Sequence, residues 1–168
     1  MLEEGKRDRR MEKQTRAPKL MGDFGEGLVI YALLMKGYEV ACVDHVGADL
    51  IAEKNGRRFA VSVKTRMYKK KSKESLAFVV KFDHIKKLEY FANQFKMDAV
   101  FAQVLCLSDE DAIHLIIMPV AKLKKKLPKV MYGYRYSFSP KRRDGFLALP
   151  FVDYSCWSQQ RIGDKDFF

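Results

Sequence analysis

Asp49, Ser62 and Lys64 are polar residues whose types and spacing suit them for chemistry, and the Asn55-Gly56 dipeptide between them brings them together. Asn-Gly between two alternating stretches is the strongest short-range signal for a two-residue hairpin. It sets 48–54 against 57–65, pairing Lys54 with Arg57, Glu53 with Arg58, Ala52 with Phe59 and Leu50 with Val61. Asp49 then faces Ser62 with about 5 Å between Cβ atoms, and Lys64 lies one diagonal step away at about 7–8 Å. Hydrolysing a phosphodiester requires a divalent cation to stabilise charge on the phosphoryl oxygens and a water made nucleophilic. Asp49 can hold Mg²⁺ or Mn²⁺, and Lys64 can orient the water. Glu26 is the only charged residue between Asp23 and Lys36 and could complete the metal shell from a helix.

The elements that must position these groups follow from periodicity. Phe24, Leu28, Tyr31 and Met35 recur at helical spacing and predict one buried face of a first helix, which Gly37 closes as its C-terminal cap. Strands are expected over 39–43, 48–53 and 57–65. Ala48, Leu50, Ala52, Phe59, Val61 and Val63 then share an apolar face, and Asp49, Ile51, Glu53, Arg58, Ala60, Ser62 and Lys64 share the other. A strand over 76–82 is followed by a helix that Asp83 caps, with Ile85, Leu88, Phe91 and Phe95 inward. Apolar strands over 99–107 and 112–118 flank an acidic turn, and Pro119 opens a short helix to Leu127, where the core sheet is expected to be complete. In the remainder, Tyr132, Tyr134, Tyr136 and Phe138 alternate, which favours a packed aromatic face over a base-stacking platform. The division expected is a flexible basic arm over 1–20, a core over 21–128 and an aromatic-rich extension over 129–168.

The 168 residues carry 32 Lys and Arg against 21 Asp and Glu, a net charge of +11, and the excess is clustered. Six basic residues and no acid fall in 64–73, five and none in 122–129, and Lys141, Arg142 and Arg143 form a third run. Such clusters attract a polyanion and release its counterions. Nucleic acid is the expected partner, with Arg66, Lys69, Lys70, Lys71, Lys73, Lys124 and Lys125 as phosphate contacts; a solvated surface is the plainer alternative. The longest apolar run, 28–35, is far short of the ~18 residues a membrane span needs, and the charged N-terminus lacks the apolar region of a secretory signal. Three widely spaced cysteines and three isolated histidines suggest neither disulfides nor a nitrogen or sulfur metal site. The cytoplasm is the expected compartment.

Taken together, GDFGEGLVIYALLMKGYEV, GADLIA and FAVSVKTR resemble the PD-(D/E)XK nuclease superfamily near its Holliday-junction-resolvase-like members, over residues 22–66. The resemblance implies an α/β fold: a restriction-endonuclease-like core with a central mixed β-sheet flanked by helices. It further implies Mg²⁺-dependent DNA cleavage, and it suggests a homodimer. By position, Glu26 corresponds to the helix carboxylate, Asp49 to the strand aspartate, Lys64 to the motif lysine and the Val63 carbonyl to a backbone metal ligand. The sequence departs from the pattern at the motif glutamate, which is Ser62, a weak and neutral ligand for a hard cation. A non-catalytic nucleic-acid-binding module with a degenerate site therefore stands beside the nuclease, and a protein-interaction domain stands behind both.

Each residue also has a purely structural reading. Asp23 and Glu26 form a D-x-x-E arrangement that would cap a helix start. Asp49 and Lys64 would serve as a solvated cross-strand pair. Gly22, Gly25 and Gly27 do not fit a dinucleotide-binding motif and instead suggest close approach of a backbone or a phosphate. His45 and His84 read as ordinary surface residues or as satisfied ones.

Overall fold

The computed structural model describes residues 16–68 and 76–158. The chain opens with α1 (Ala17–Met35), so residues 17–20 of the expected arm are the first turn of a helix; residues 1–15 lie outside the described residues. Gly37, at φ 77°, closes α1 as expected: its N–H donates to the Leu34 carbonyl and the Tyr38 N–H to the Leu33 carbonyl, the paired bonds of a Schellman motif. The buried face differs from expectation. Gly25, Val29, Ala32 and Leu33 face the sheet, while Phe24, Tyr31 and Met35 are 42%, 52% and 71% exposed. Small residues let the helix axis approach the strands, and this outweighs the larger apolar area of the other stripe.

Next come β1 (Glu39–His45), β2 (Ala48–Lys54) and β3 (Arg57–Tyr68), an antiparallel meander. The β2–β3 register is the expected one from Lys54–Arg57 to Leu50–Val61, and Asn55 and Gly56 both take positive φ, as the tight turn requires. β4 (Ala77–Lys81) leads into α2 (Phe82–Gln94), whose N-cap is Lys81; Asp83 lies inside the first turn, where its charge meets the helix dipole. β5 (Asp98–Leu107) runs parallel to β3, and β6 (Ala112–Pro119) returns antiparallel to it. α3 (Val120–Lys126), β7 (Lys129–Val130), β8 (Gly133–Ser137), α4 (Pro140–Leu147) and β9 (Asp153–Ser158) complete the order.

Two sheets result. The larger runs β1-β2-β3-β5-β6-β9 and the smaller β4-β8-β7. The main sheet is thus not complete at Leu127, because β9 joins it as the sixth strand, and β4 leaves it to pair with β8. α1 covers one face through Val29, Ala32 and Leu33 against Leu50, Ala52, Val61, Val63, Ala102 and Val104. α2, α3 and the small sheet cover the other through Phe101, Leu105, Ile116, Met118, Leu88, Leu123 and Phe138. The face expected to be polar is therefore largely buried, with Ala60 at 0% and Ser62 at 5% exposure. Ala48 also packs with this second layer, beside a shift in register between Cys42 and His45. Among the described residues no helix is long and apolar enough to cross a membrane.

Candidate functional site

The site forms where β2 and β3 part. Their paired register stops at Leu50–Val61, so Asp49 does not sit in a ladder pair with Ser62 as the hairpin alone predicts. Instead the Asp49 Oδ2 accepts the backbone N–H of Val63 at 2.6 Å. In an extended strand the N–H and C=O of one residue point to the same side, so the Val63 carbonyl edge also faces Asp49. The Val63 side chain, 6% exposed, packs in the α1 layer, and Lys64 is on the opposite face. One strand thus offers a backbone edge and an ammonium to the same corner.

Glu26 reaches this corner because Gly25 lets α1 settle onto β3. A Cβ at Gly25 would lie 1.8 Å from the Thr65 Oγ1, whereas Gly22 and Gly27 have nothing within 4 Å. Only one of the three glycines is therefore explained by close approach, and what it approaches is a side chain. The capping reading of Asp23 and Glu26 is overturned, since both lie well inside a helix that begins at Ala17. Burial raises the Glu26 carboxyl above its ordinary value, with Asp49 and Asp23 adding to the rise and Lys64 opposing it. Glu26 therefore senses the charges of Asp49 and Lys64.

Beyond Lys64 a cleft of ≈ 340 Å³ opens between β3 and the small sheet, lined by Lys64, Arg66, Lys81, His84, Gln103 and Tyr132 among others. Sequence reasoning gave no functional role to Lys81, Gln103 or His84. Gln103, 5% exposed, donates from Nε2 to the Lys64 carbonyl at 2.8 Å and so braces the strand at the lysine. Its signal was there to find, as the one polar residue between Ala99 and Leu107. His84 sits half-buried in the first turn of α2, and burial followed by Lys64, Lys81 and Lys87 lowers its pKa, leaving a neutral imidazole beside the lysine at neutral pH.

The phosphate contacts expected from sequence fall in different places. Arg66 is exposed and lines the cleft. Lys69, Lys70, Lys71 and Lys73 lie outside the described residues. Lys124 pairs with Glu89 of α2 at 2.8 Å, and Lys125 is exposed on the same short helix. Lys122 and Glu89 line a depression with Phe59, about 16 Å along β3 from Lys64 at strand rise. Lys122 and Lys124 therefore lie toward the other end of the sheet.

Among the described residues no three His, Cys, Asp or Glu side chains gather as a metal cage. What the corner offers is two carboxylates, Asp49 and Glu26, and the Val63 carbonyl edge. These hard oxygen donors suit Mg²⁺, which keeps several waters and is commonly held through one or two carboxylates.

No protein-family model matches the chain, and no curated protein matches it. Among solved structures, Hjc, a Holliday junction resolvase from the archaeal hyperthermophile Archaeoglobus fulgidus, is similar at a TM-score of 0.50 and 20% identity, over 70% of this chain and 84% of that one. The chain has the restriction-endonuclease-like fold. A bacterial homing endonuclease is similar at a TM-score of 0.43 and 16% identity, over 72% of this chain and 77% of that one. The restriction-endonuclease-like fold bears out the resemblance seen in residues 22–66 at the level of architecture: a central mixed sheet flanked by helices.

Proposed function

We propose that this protein binds DNA and hydrolyses its phosphodiester bonds with a divalent cation, Mg²⁺ or Mn²⁺, at the corner formed by Glu26, Asp49, Val63 and Lys64. The observation that carries the reading is the Asp49–Val63 hydrogen bond, which sets a carboxylate against a backbone carbonyl edge one residue from Lys64. Asp49, Glu26 and the Val63 carbonyl would hold the cation. When bound, the cation neutralises charge developing on the phosphoryl oxygens. Lys64 donates hydrogen bonds to the attacking water or to a phosphoryl oxygen, and Gln103 keeps its backbone in place. His84 is a neutral donor or acceptor on the far side of the lysine. Arg66 and Lys81 in the cleft, with Lys69, Lys70, Lys71 and Lys73 nearby in sequence, supply backbone attraction. Hjc is a Holliday junction resolvase, which makes branched DNA the first substrate to try. A homodimer belongs to the same reading, with the exposed stripe Leu20, Phe24, Tyr31, Leu34 and Met35 of α1 as apolar surface available for it. The free cysteines suit a reducing compartment, the cytoplasm.

Ser62 favours a second reading, a binding module that has kept the fold without the chemistry. The residue is 5% exposed and uncharged where the nuclease pattern has a glutamate. One experiment separates the two. Branched, duplex and single-stranded DNA are incubated with the protein in Mg²⁺ or Mn²⁺, beside Lys64→Ala, Asp49→Asn and Ser62→Glu. The nuclease reading expects cleavage that Lys64→Ala lowers by about 10²–10⁴, that Asp49→Asn abolishes and that Ser62→Glu increases. Binding to all three DNAs with no cut on any, in wild type and in Ser62→Glu alike, establishes the module instead.

A further inference from the structure

The turn between β7 and β8 holds Met131 and Tyr132, which are 94% and 56% exposed. The next aromatic residues along the chain behave as the alternating pattern predicts. Tyr136 stacks on Phe78 and Phe146, Tyr134 meets Phe82 edge-on, and Phe138 is fully buried. Tyr132 and Met131 alone project beyond that packing.

The turn is nevertheless firmly held. The Tyr132 carbonyl accepts the Phe82 N–H at 3.0 Å, fixing the tip to the start of α2. Gly133 lies so close to β4 that a Cβ there would come within 2.3 Å of the Val80 carbonyl oxygen. A rigid hairpin thus holds a nearly bare methionine in water. The strands that carry it are basic: β4, β7 and β8 contain Lys81, Lys129 and Arg135 and no acid, and the acid nearest in sequence to Phe82 is Asp83 in the first turn of α2. Lys129 stands over the Phe82 ring at 5.6 Å. Tyr132 lines the same cleft as Lys64 and Arg66, so a strand whose phosphates lie along the cleft passes beside the tip that carries Met131.

From this arrangement we infer that Met131, backed by Tyr132, is a wedge that inserts into the base stack of DNA held in the cleft, and that the preferred substrate is DNA whose stacking is already weakened, at a branch point or a mismatch. Apolar side chains on basic, minor-groove-binding proteins act in this way, and the unstacking they impose is cheapest where the duplex is already distorted. Methionine suits the role because its unbranched, polarisable side chain adapts to irregular surfaces. The inference rests on the DNA-binding half of the function proposed above and not on catalysis.

The test uses the full chain in EDTA and low salt, with a duplex carrying 2-aminopurine at a central step and the same duplex with an adjacent mismatch. Wild type should raise the emission and bind the mismatched duplex about tenfold more tightly. Met131→Ala and Tyr132→Ala should lose most of the emission rise and most of the preference, and the exposed Met131 side chain can be removed without changing Tm. Wild-type binding without a rise in emission, or variants that match wild type in both readouts, overturns the wedge. Unstacking with no cleavage once Mg²⁺ is added supports the wedge and removes only the catalytic reading. Failure to bind either duplex, or Met131-dependent retention on phosphatidylserine vesicles in its place, overturns the wedge and the DNA-binding reading together.

Discussion

Glu26 and Ser62 set the charge available at the corner, and they pull in opposite directions. With Ser62 in place of an acid, the carboxylates that the described residues bring to the corner are Asp49 and Glu26, which limits the pull on a cation. Glu26 is nonetheless held at a cost to the fold, because burial and then the neighbouring Asp49 and Asp23 disfavour its ionised form, with only Lys64 in opposition. Removing that charge relieves the strain and, under the proposed function, removes a cation ligand at once. Glu26→Gln is expected to raise Tm slightly in EDTA at neutral pH and to lose the further rise that Mg²⁺ gives the wild type by binding the folded state. Thermal unfolding of both proteins, with and without the cation, checks this. A lower Tm for the variant in EDTA would mean that Glu26 serves as a structural partner and not as a ligand in waiting.

Among the elements, α1 and β3 matter most, and Gly25 is their point of contact. An alanine in a helix is normally better than glycine by about 1 kcal/mol, and at the open positions Gly22 and Gly27 that gain should be realised. At Gly25 the added methyl would collide with Thr65, so Gly25→Ala is expected to destabilise by about 1–3 kcal/mol and to lift Glu26 away from Asp49. Thr65→Ala in the same chain should restore most of the loss, a coupling that chemical denaturation of the single and double variants measures. The same contact shows what could and could not be read from the sequence. The β2–β3 register was legible because Asn55-Gly56 and the two-residue alternation are local signals. The inward face of α1 was not, since Gly25 and Ala32 add no apolar area and reveal their role only against a strand. The cap read from Asp23 and Glu26 failed because a helix can begin earlier without a side-chain cap, here at Ala17 after Arg16. At the corner, Asp49, Lys64 and Glu26 stood out by residue type and spacing, and their roles there belong to the proposed function. The parting of β2 from β3 and the arrival of Gln103 and His84 were not, because β5 and α2 bring them from far along the chain.

Over the whole molecule, the small sheet and the last strand are locked to the main sheet by one mixed aromatic and polar cluster. Phe138, fully buried, meets the His114 ring at 5.0 Å and the Arg143 guanidinium at 4.4 Å. His114 of β6 is 3% exposed, and its Nδ1 hydrogen-bonds the Tyr154 hydroxyl of β9 at 2.9 Å. Arg143 of α4 bonds Glu110 of the acidic turn at 2.7 Å. The His114 Nε2 lies 3.3 Å from the Glu110 carboxylate, within ion-pair distance. Burial, reinforced by Arg143, lowers the His114 pKa below its ordinary 6.5 and outweighs the pull of Glu110. The folded state therefore binds this proton less readily than the unfolded chain does. Stability at pH 8 is unaffected by the group. It falls as the pH drops below about 6.5 and levels off once the folded-state value has been passed, with a slope of at most ~1.4 kcal/mol per pH unit for one group. His84, also lowered, adds in the same direction. His114→Gln, which keeps a neutral polar side chain against Tyr154, should flatten much of the fall in Tm between pH 8 and pH 5. If the variant's Tm profile lies parallel to the wild-type one across that range, the acid sensitivity arises elsewhere and His114 is not the group through which protons loosen the junction of the two sheets.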